Sequence, residues 1–422
     1  MRMLLDVPST PCEPRPVGHA TPVGAEPEFC PNPACRFHHR DTAAEHQWYV
    51  RFGRFSTHAR GLVQRFRCIA CGKTCSTQTF SIHYWTRSTN DLAWLLGYLT
   101  TCSGMRQSGR IAGVTHRVIQ NRCRRLARNA LALMDCALAH LDLDEDLAMD
   151  GFESFTRSQY HPNNITHLTG SRSQFIYAAV HTLFRRKGSM TETQKRTRTL
   201  IDAVWRPSRS VRADSTELLT DVAPLIDAAC QRAAKAGTRF TLNTDLHPAY
   251  PKAIAAVPVL AERLADGSLY HRRTSSRAAR TRSNPLFAVN YVDRQLRSGM
   301  AEYVRETVRP GREVNSQMER LAIYLAVHNF ATPHRIDGRA RAIPTATHAD
   351  VAGVAGEPVE WLLERMLTHR HLYSHTTGRH AWIRRIWLHE YENPPAVRLK
   401  RGVVSTRRVA LRSSEMPRYL LA

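Results

Sequence analysis

Three aspartates stand where apolar runs give way to polar residues: Asp150 in DLAMDGFESF, Asp245 in RFTLNTDLHPAY and Asp293 in NYVDRQLR. The first two follow LAM and FTLNT, which read as β-strands, and an acid so placed projects from a rigid sheet edge as a metal ligand must. Two divalent cations ~3.5–4 Å apart need one shared carboxylate and at least two more from separate elements. The 95 residues from Asp150 to Asp245 leave room for further strands and a helix. A third acid should then come from a helix packed beside the sheet. Asp293 fits, because Val289, Val292, Leu296 and Met300 form an apolar stripe and Asp293 lies on its border. Glu319 in NSQMERLAIYL offers similar credentials on a later helix. Singly, each acid has an ordinary explanation. Asp150-Gly151 is a hairpin signal, Asp245 can form an Asx turn before His247-Pro248, and Asp293 can be a solvated helix charge. Only convergence would make a site.

The cysteines are more specific. Cys30-x4-Cys35 and Cys68-x2-Cys71 are two thiolate pairs on separate knuckles, joined by a linker long enough for a small sheet, and can close tetrahedrally around one zinc ion. The second pair continues as CGK. Cys75, His38 and His39 are substitute ligands of lower rank. A region this small and turn-rich folds with difficulty unaided, so the metal would be structural. Ten cysteines in a long chain without a secretory h-region do not form a disulfide framework.

Sixty Lys+Arg against thirty-six Asp+Glu give 422 residues a formal charge of +24, which points to a polyanionic partner, most often nucleic acid. No apolar run approaches the ~18 residues that span a bilayer. A cytosolic protein acting on DNA or RNA is expected.

The elements that must position these residues follow from patterning. Residues 1–27 are Pro-rich and aperiodic, a flexible leader. Residues 28–82 alternate short aromatic strands and knuckles, the expected zinc ribbon. Residues 83–141 are helical and resemble a helix-turn-helix. Its first helix spans 104–114, a turn falls at Gly113-Val114-Thr115, and the second helix, 116–134, carries Arg117, Arg122, Arg124, Arg125 and Arg128. Lying in a major groove, that helix would make contacts through Arg117, Gln120 and Arg124. From 142 to 335 strands and helices alternate: LAMDGFESF, QFIYAAVHTLF, RFTLNTD and LYHRRTSS as strands, with an amphipathic helix TELLTDVAPLIDAACQRAAKAG closed by Gly237. This predicts a mixed sheet flanked by helices. The basic run HRRTSSRAARTR precedes the helix bearing Asp293, and a DNA backbone would pass there. Residues 336–422 read as a basic tail with one helical patch at VEWLLERMLTH.

Together, RCIACGKTC, the helix-turn-helix, AMDGFESF, NTDLHPAY and the stretch from NYVDRQLR through YLAVHNF resemble the zinc-ribbon insertion-sequence transposases with a DD-E/D catalytic domain. The likeness covers roughly 28–335. It implies a multidomain chain: a zinc ribbon, an all-α helix-turn-helix and an α/β RNase H-like domain. Asp150 and Asp245 match the family's two strand aspartates. Relatives usually carry Glu at the head of the last helix, where this chain has Asn290, with Asp293 one turn later. The resemblance further implies Mg2+ or Mn2+ at the acids, structural Zn2+, binding of double-stranded DNA ends, cleavage by metal-dependent hydrolysis and joining of the 3′-OH to target DNA. A homo-oligomer on DNA, in the bacterial cytosol with the nucleoid, follows from that activity. The other reading is a catalytically decayed, transposase-derived DNA-binding regulator.

Overall fold

The protein is described here by a computed structural model covering residues 26–38, 40–58, 60–86, 92–304, 307, 309–336, 345–354, 356–371, 380–398 and 403–405. The leader reading falls on residues of which 1–25 lie outside this description, as does His39.

A first, small unit holds α1 (Arg40–Ala44) and a three-stranded antiparallel sheet of β1 (Tyr49–Thr57), β2 (Gly61–Cys68) and β3 (Thr74–Ser76), in the order β1-β2-β3. Phe29, Phe37, Trp48, Tyr49 and Phe66 make its core around the cysteines. Next come α2 (Ala93–Leu99), α3 (Met105–Ile111) and α4 (His116–Ala139). Gly113, at φ +64°, makes the turn between α3 and α4, and Thr115 occupies the extended N-cap position without a side-chain capping bond.

The mixed α/β sheet follows. β4 (Leu147–Phe155), β5 (Pro162–Gly170) and β6 (Ile176–Leu183) run antiparallel. The chain then crosses through α5 (Glu192–Val204) and α6 (Val211–Lys235). It returns as β7 (Phe240–Thr244), α7 (Ala249–Ala255), α8 (Pro258–Ala265) and β8 (Leu269–Arg273). The order β6-β5-β4-β7-β8 places β7 beside β4 and parallel to it. The Ser210 side chain caps α6 by accepting from the Ala213 N–H, and Gly237 at φ +70° follows its end, as the sequence leads one to expect. The strand β5 and the helix α5 were not foreseen. PNNITHLTG is polar at five of its nine positions, yet eight of the nine are buried, so it carries no period-two signal.

After the sheet come α9 (Phe287–Gly299), α10 (Val314–Phe330), α11 (His348–Ala352), α12 (Glu357–Arg365) and α13 (Ala381–Trp387), then the short pair β9 (Ala396–Arg398) and β10 (Val403–Ser405). The helix bearing Asp293, α9, stops at Gly299. A Cβ at that glycine would sit 2.8 Å from the Thr100 carbonyl oxygen and from the Tyr324 ring, so α9 ends in a close crossing.

One apolar core runs from Ile82 to Tyr391 and joins α4, both faces of the sheet, α10 and α13. The tail reading of 336–422 is therefore corrected for the described residues 348–354, 356–371 and 380–391. Trp382, Ile383, Ile386 and Trp387 are all at most 2% exposed, and the arginines around them had masked an apolar helix face. Among the described residues, no helix is long and apolar enough to cross a membrane.

Candidate active site and metal centre

Asp150 lies within β4, not in a turn. β4 continues to Phe155, and Asp150 pairs with His167 on β5. Gly151 leaves room there for the Asn164 side chain, which would have to shift if a Cβ were added. The parallel ladder between β4 and β7 has three rungs, Leu147 with Leu242, Ala148 with Asn243 and Met149 with Thr244. Asp150 and Asp245 are thus the next residues on neighbouring strands, about 4.8 Å apart strand to strand. Two bonds pin this register: the Thr241 N–H donates to Asp146 at 2.8 Å, and the Asn243 amide donates to the Leu147 carbonyl at 3.0 Å. From β4 the chain order runs one way across the sheet through β5 and β6 and the other way through β7 and β8. The acids therefore occupy the topological switch point, at the carboxyl end of the parallel pairing, where open sheets bind ligands.

Asp293 arrives from α9, whose Val289, Val292 and Leu296 are buried, as is Met300 just past its end, as the stripe requires. Its carboxylate bonds to His167 Nε2 at 2.8 Å, and His167 Nδ1 meets Thr169 Oγ1 at 2.8 Å. His167 escaped sequence reading because its strand did. Tyr250 on α7, buried, donates to Asp150 at 3.4 Å. Asp245 accepts the His247 N–H at 2.7 Å, the Asx turn considered above.

All three aspartates line one cleft of about 1380 Å³, together with Asn290. Nine cations line it as well: Arg185, Arg186, Lys187, Arg206, Arg209, Arg212, Arg280, Arg294 and Arg297. Arg280 belongs to the basic run expected there. Arg185 and Arg209 are engaged with Asp202 and Asp214. Among the described residues neither Asp150 nor Asp245 has an ion-pair partner. Burial, then the nearby charges of Asp245 and Asp293, push the Asp150 carboxyl up to about 7.

That shift makes a prediction for protein in magnesium-free buffer without chelator. The fold holds a proton on Asp150 that the unfolded chain has released, so stability falls as pH rises from about 4 to about 7 and is level above. Asp150→Asn should therefore be more stable than the parent at pH 8, by up to roughly 4 kcal/mol, and no different at pH 4. Urea denaturation at the two pH values measures this. An equal difference at both would show that charge is not the cause.

The helix-turn-helix residues differ in exposure. Arg117, on the first turn of α4, is exposed, and Gln120 is half-buried with its amide 3.4 Å from Ser316 Oγ. Arg124 is corrected as a surface residue: it is 7% exposed, with its Nε 3.7 Å from Glu319. The reason is that α4 is a core helix beyond its first turn, and Arg122, Arg125 and Arg128 are buried with Arg124. Glu319, the rival third acid, is corrected with it. It is 1% exposed and absent from the cleft lining. It bonds to His389 and lies 3.2 Å from Arg128. Burial alone would raise its carboxyl, but His389, Arg128 and Arg124 hold it below the usual carboxylate range.

The cysteines converge. Among the described residues, Cys30, Cys35, Cys68 and Cys71 are the one group of three or more ligand residues whose donor atoms all lie within 4.8 Å of one another. The Cys30 and Cys71 sulfurs are 3.6 Å apart, as are those of Cys35 and Cys68. A tetrahedron with Zn–S bonds of ~2.3 Å has edges of ~3.8 Å, so the four thiols fit a zinc ion. His38 instead turns Nδ1 to the Cys30 carbonyl at 2.7 Å, and Cys75 stands outside the group. Burial raises the Cys71 thiol, but the Lys73 N–H and the Asn32 side chain outweigh it and bring the thiol down to about 7. We expect one zinc per purified chain by metal analysis, and its loss with protease-sensitive unfolding of the first unit in Cys68→Ser. Full zinc content in that variant would contradict the ligand set. The three aspartates do not form so tight a group, each being turned partly to its own hydrogen-bond partner. The chain matches no protein-family model, no curated protein and no solved structure.

Proposed function

We propose that the cleft is the active site of a DNA transposase of the insertion-sequence type, which hydrolyses phosphodiesters at DNA ends and transfers the freed 3′-OH to target DNA. The single observation that carries this reading is the adjacency of Asp150 and Asp245 at the switch point of the mixed sheet, in a cleft rimmed by nine cations. An RNase H-like fold is part of the reading. Its support is the antiparallel run β4-β5-β6 followed by a helical crossover to β7 parallel with β4.

The acids fit divalent cations chemically: hard oxygen donors from three elements, with the Asp150 carboxyl pushed up by its acidic neighbours as well as by burial and so favoured by a nearby cation. Asp150, Asp245 and Asp293 would hold them. Bound there, Mg2+ or Mn2+ supplies Lewis acidity for the attacking oxygen and the leaving 3′ oxygen. The chain itself does the rest. The rim arginines and Lys187 bind and orient backbone phosphates. Tyr250 and His167 fix the carboxylates of Asp150 and Asp293. The four-cysteine unit is a zinc ribbon in this scheme, and duplex DNA, a homo-oligomer and a place in the bacterial cytosol at the nucleoid follow.

A specific observation favours the second reading, a decayed DNA-binding regulator. Asn290 stands in the cleft where the resemblance expects Glu, with its amide donated to the Leu286 carbonyl of its own helix. Incubating the chain with supercoiled DNA that carries its coding region with the genomic sequence on either side, including any inverted repeats found there, decides between them. Nicking that requires added Mg2+ or Mn2+ is expected. Tight binding with no nicking under either metal would favour the regulator.

A further inference from the structure

We propose that the β1–β2 hairpin is a docking surface for duplex DNA, its paired strands entering a major groove. This rests on DNA as the partner, but not on the chemistry of the cleft. From Tyr49 to Cys68 the chain carries five arginines and no acid. β1 is exposed continuously from Val50 to Ser56, and its outer edge is unpaired in the sheet. β3 covers β2 only from Arg65 to Arg67, so the distal half is two strands wide.

One face of this ribbon is apolar as well as basic. Phe52 and Phe55 are each 39% exposed. The guanidinium groups of Arg67 and Arg65 lie 4.8 and 5.3 Å from the Phe52 ring centroid and flank it. Arg54 extends on the opposite face, bonded to Gln64 at 3.0 Å. The acid at hand, Glu26, engages Arg51 at 3.2 Å, which leaves this surface strongly cationic. An exposed, apolar edge strand is an association hazard that proteins ordinarily blunt. Here the arginines select what associates: a polyanion that also presents apolar surface. The major groove of B-form DNA is such a partner, since it offers phosphates along both walls and thymine methyls on its floor, and it admits a two-stranded ribbon. The major groove of an RNA duplex is too deep and narrow. Cys68, the last residue of β2, is one of the four clustered cysteines, so the ribbon is anchored at its base. α4 cannot serve in its place, because its arginines beyond the first turn are buried.

The test uses the full chain, with a short DNA duplex and an RNA duplex of the same sequence, titrated across a range of salt. Replacing Arg54, Arg65 and Arg67 together by Gln should weaken DNA binding at least about tenfold. It should also flatten the log–log salt slope by about two to three, at ~0.9 per phosphate lost. Phe52→Ala with Phe55→Ala should weaken DNA binding with the slope unchanged. Zinc content equal to the parent shows that each variant is folded. A triple variant with the parent's slope and affinity overturns the proposal, as does a parent that binds RNA duplex as tightly as DNA. If that triple variant also nicks DNA as the parent does, the cleavage reading stands while the hairpin's role falls. A parent that binds no duplex overturns both.

Discussion

Asp150→Ala and Asp245→Ala should each lower metal-dependent DNA nicking by at least about a thousand-fold, because each removes several kcal/mol of charge stabilisation at the reacting phosphate. Asp150→Ala separates chemistry from folding unusually well. The parent carboxyl is held high by burial and by its acidic neighbours, so deleting it relieves repulsion, and the variant should unfold no more easily than the parent at pH 8. Asp293→Asn keeps a hydrogen-bond partner for His167 but loses the charge, and a smaller loss, about 10- to 100-fold, is expected. Nicking rates on cognate ends measure all three. Full activity in both alanine variants would remove Asp150 and Asp245 from the site.

Glu319→Ala should destabilise the protein by about 3–5 kcal/mol, the cost of leaving buried cations without their counter-charge. Arg124 and Arg128 are 7% and 5% exposed, and His389 closes the group from the far end of the chain. Arg128 also donates to the Trp387 carbonyl at 2.9 Å, so the network ties α4 and α10 to α13. Urea denaturation gives the number. An unchanged midpoint would mean that these side chains are solvated. Replacing Arg124 and Arg128 by Met alongside Glu319→Leu should recover much of the loss, since a well-packed apolar group of similar volume often matches a buried ion network.

What could be read from the sequence depended on whether the signal was local. The four cysteines and the apolar run before each strand aspartate are short-range features, and the strands carrying Asp150 and Asp245 lie where they were expected. Their adjacency could not be read: it comes from a three-rung ladder between segments 95 residues apart. The arginines of α4 show the opposite failure. A helix with five arginines reads as a surface, and here the surplus charge led toward a DNA-reading face. The acid that permits burial of Arg124 and Arg128 is Glu319, almost two hundred residues later. His167 was missed because eight of the nine residues of PNNITHLTG are buried despite a polar composition, so neither alternation nor hydrophobicity marks the strand.

The incorporation of α13 and Tyr391 into the main core bears on the order of events during synthesis. Trp382 and Trp387 are fully enclosed by helices made long before them, and His389 meets a carboxylate seventy residues upstream. Translation must reach residue 391 before these pieces exist. A polypeptide stalled short of that point holds its two strand aspartates but lacks the aromatic wedge that shuts the interior behind them. Closure of this core therefore waits on α13 and the residues just after it, and premature termination anywhere before residue 380 yields a product without that wedge.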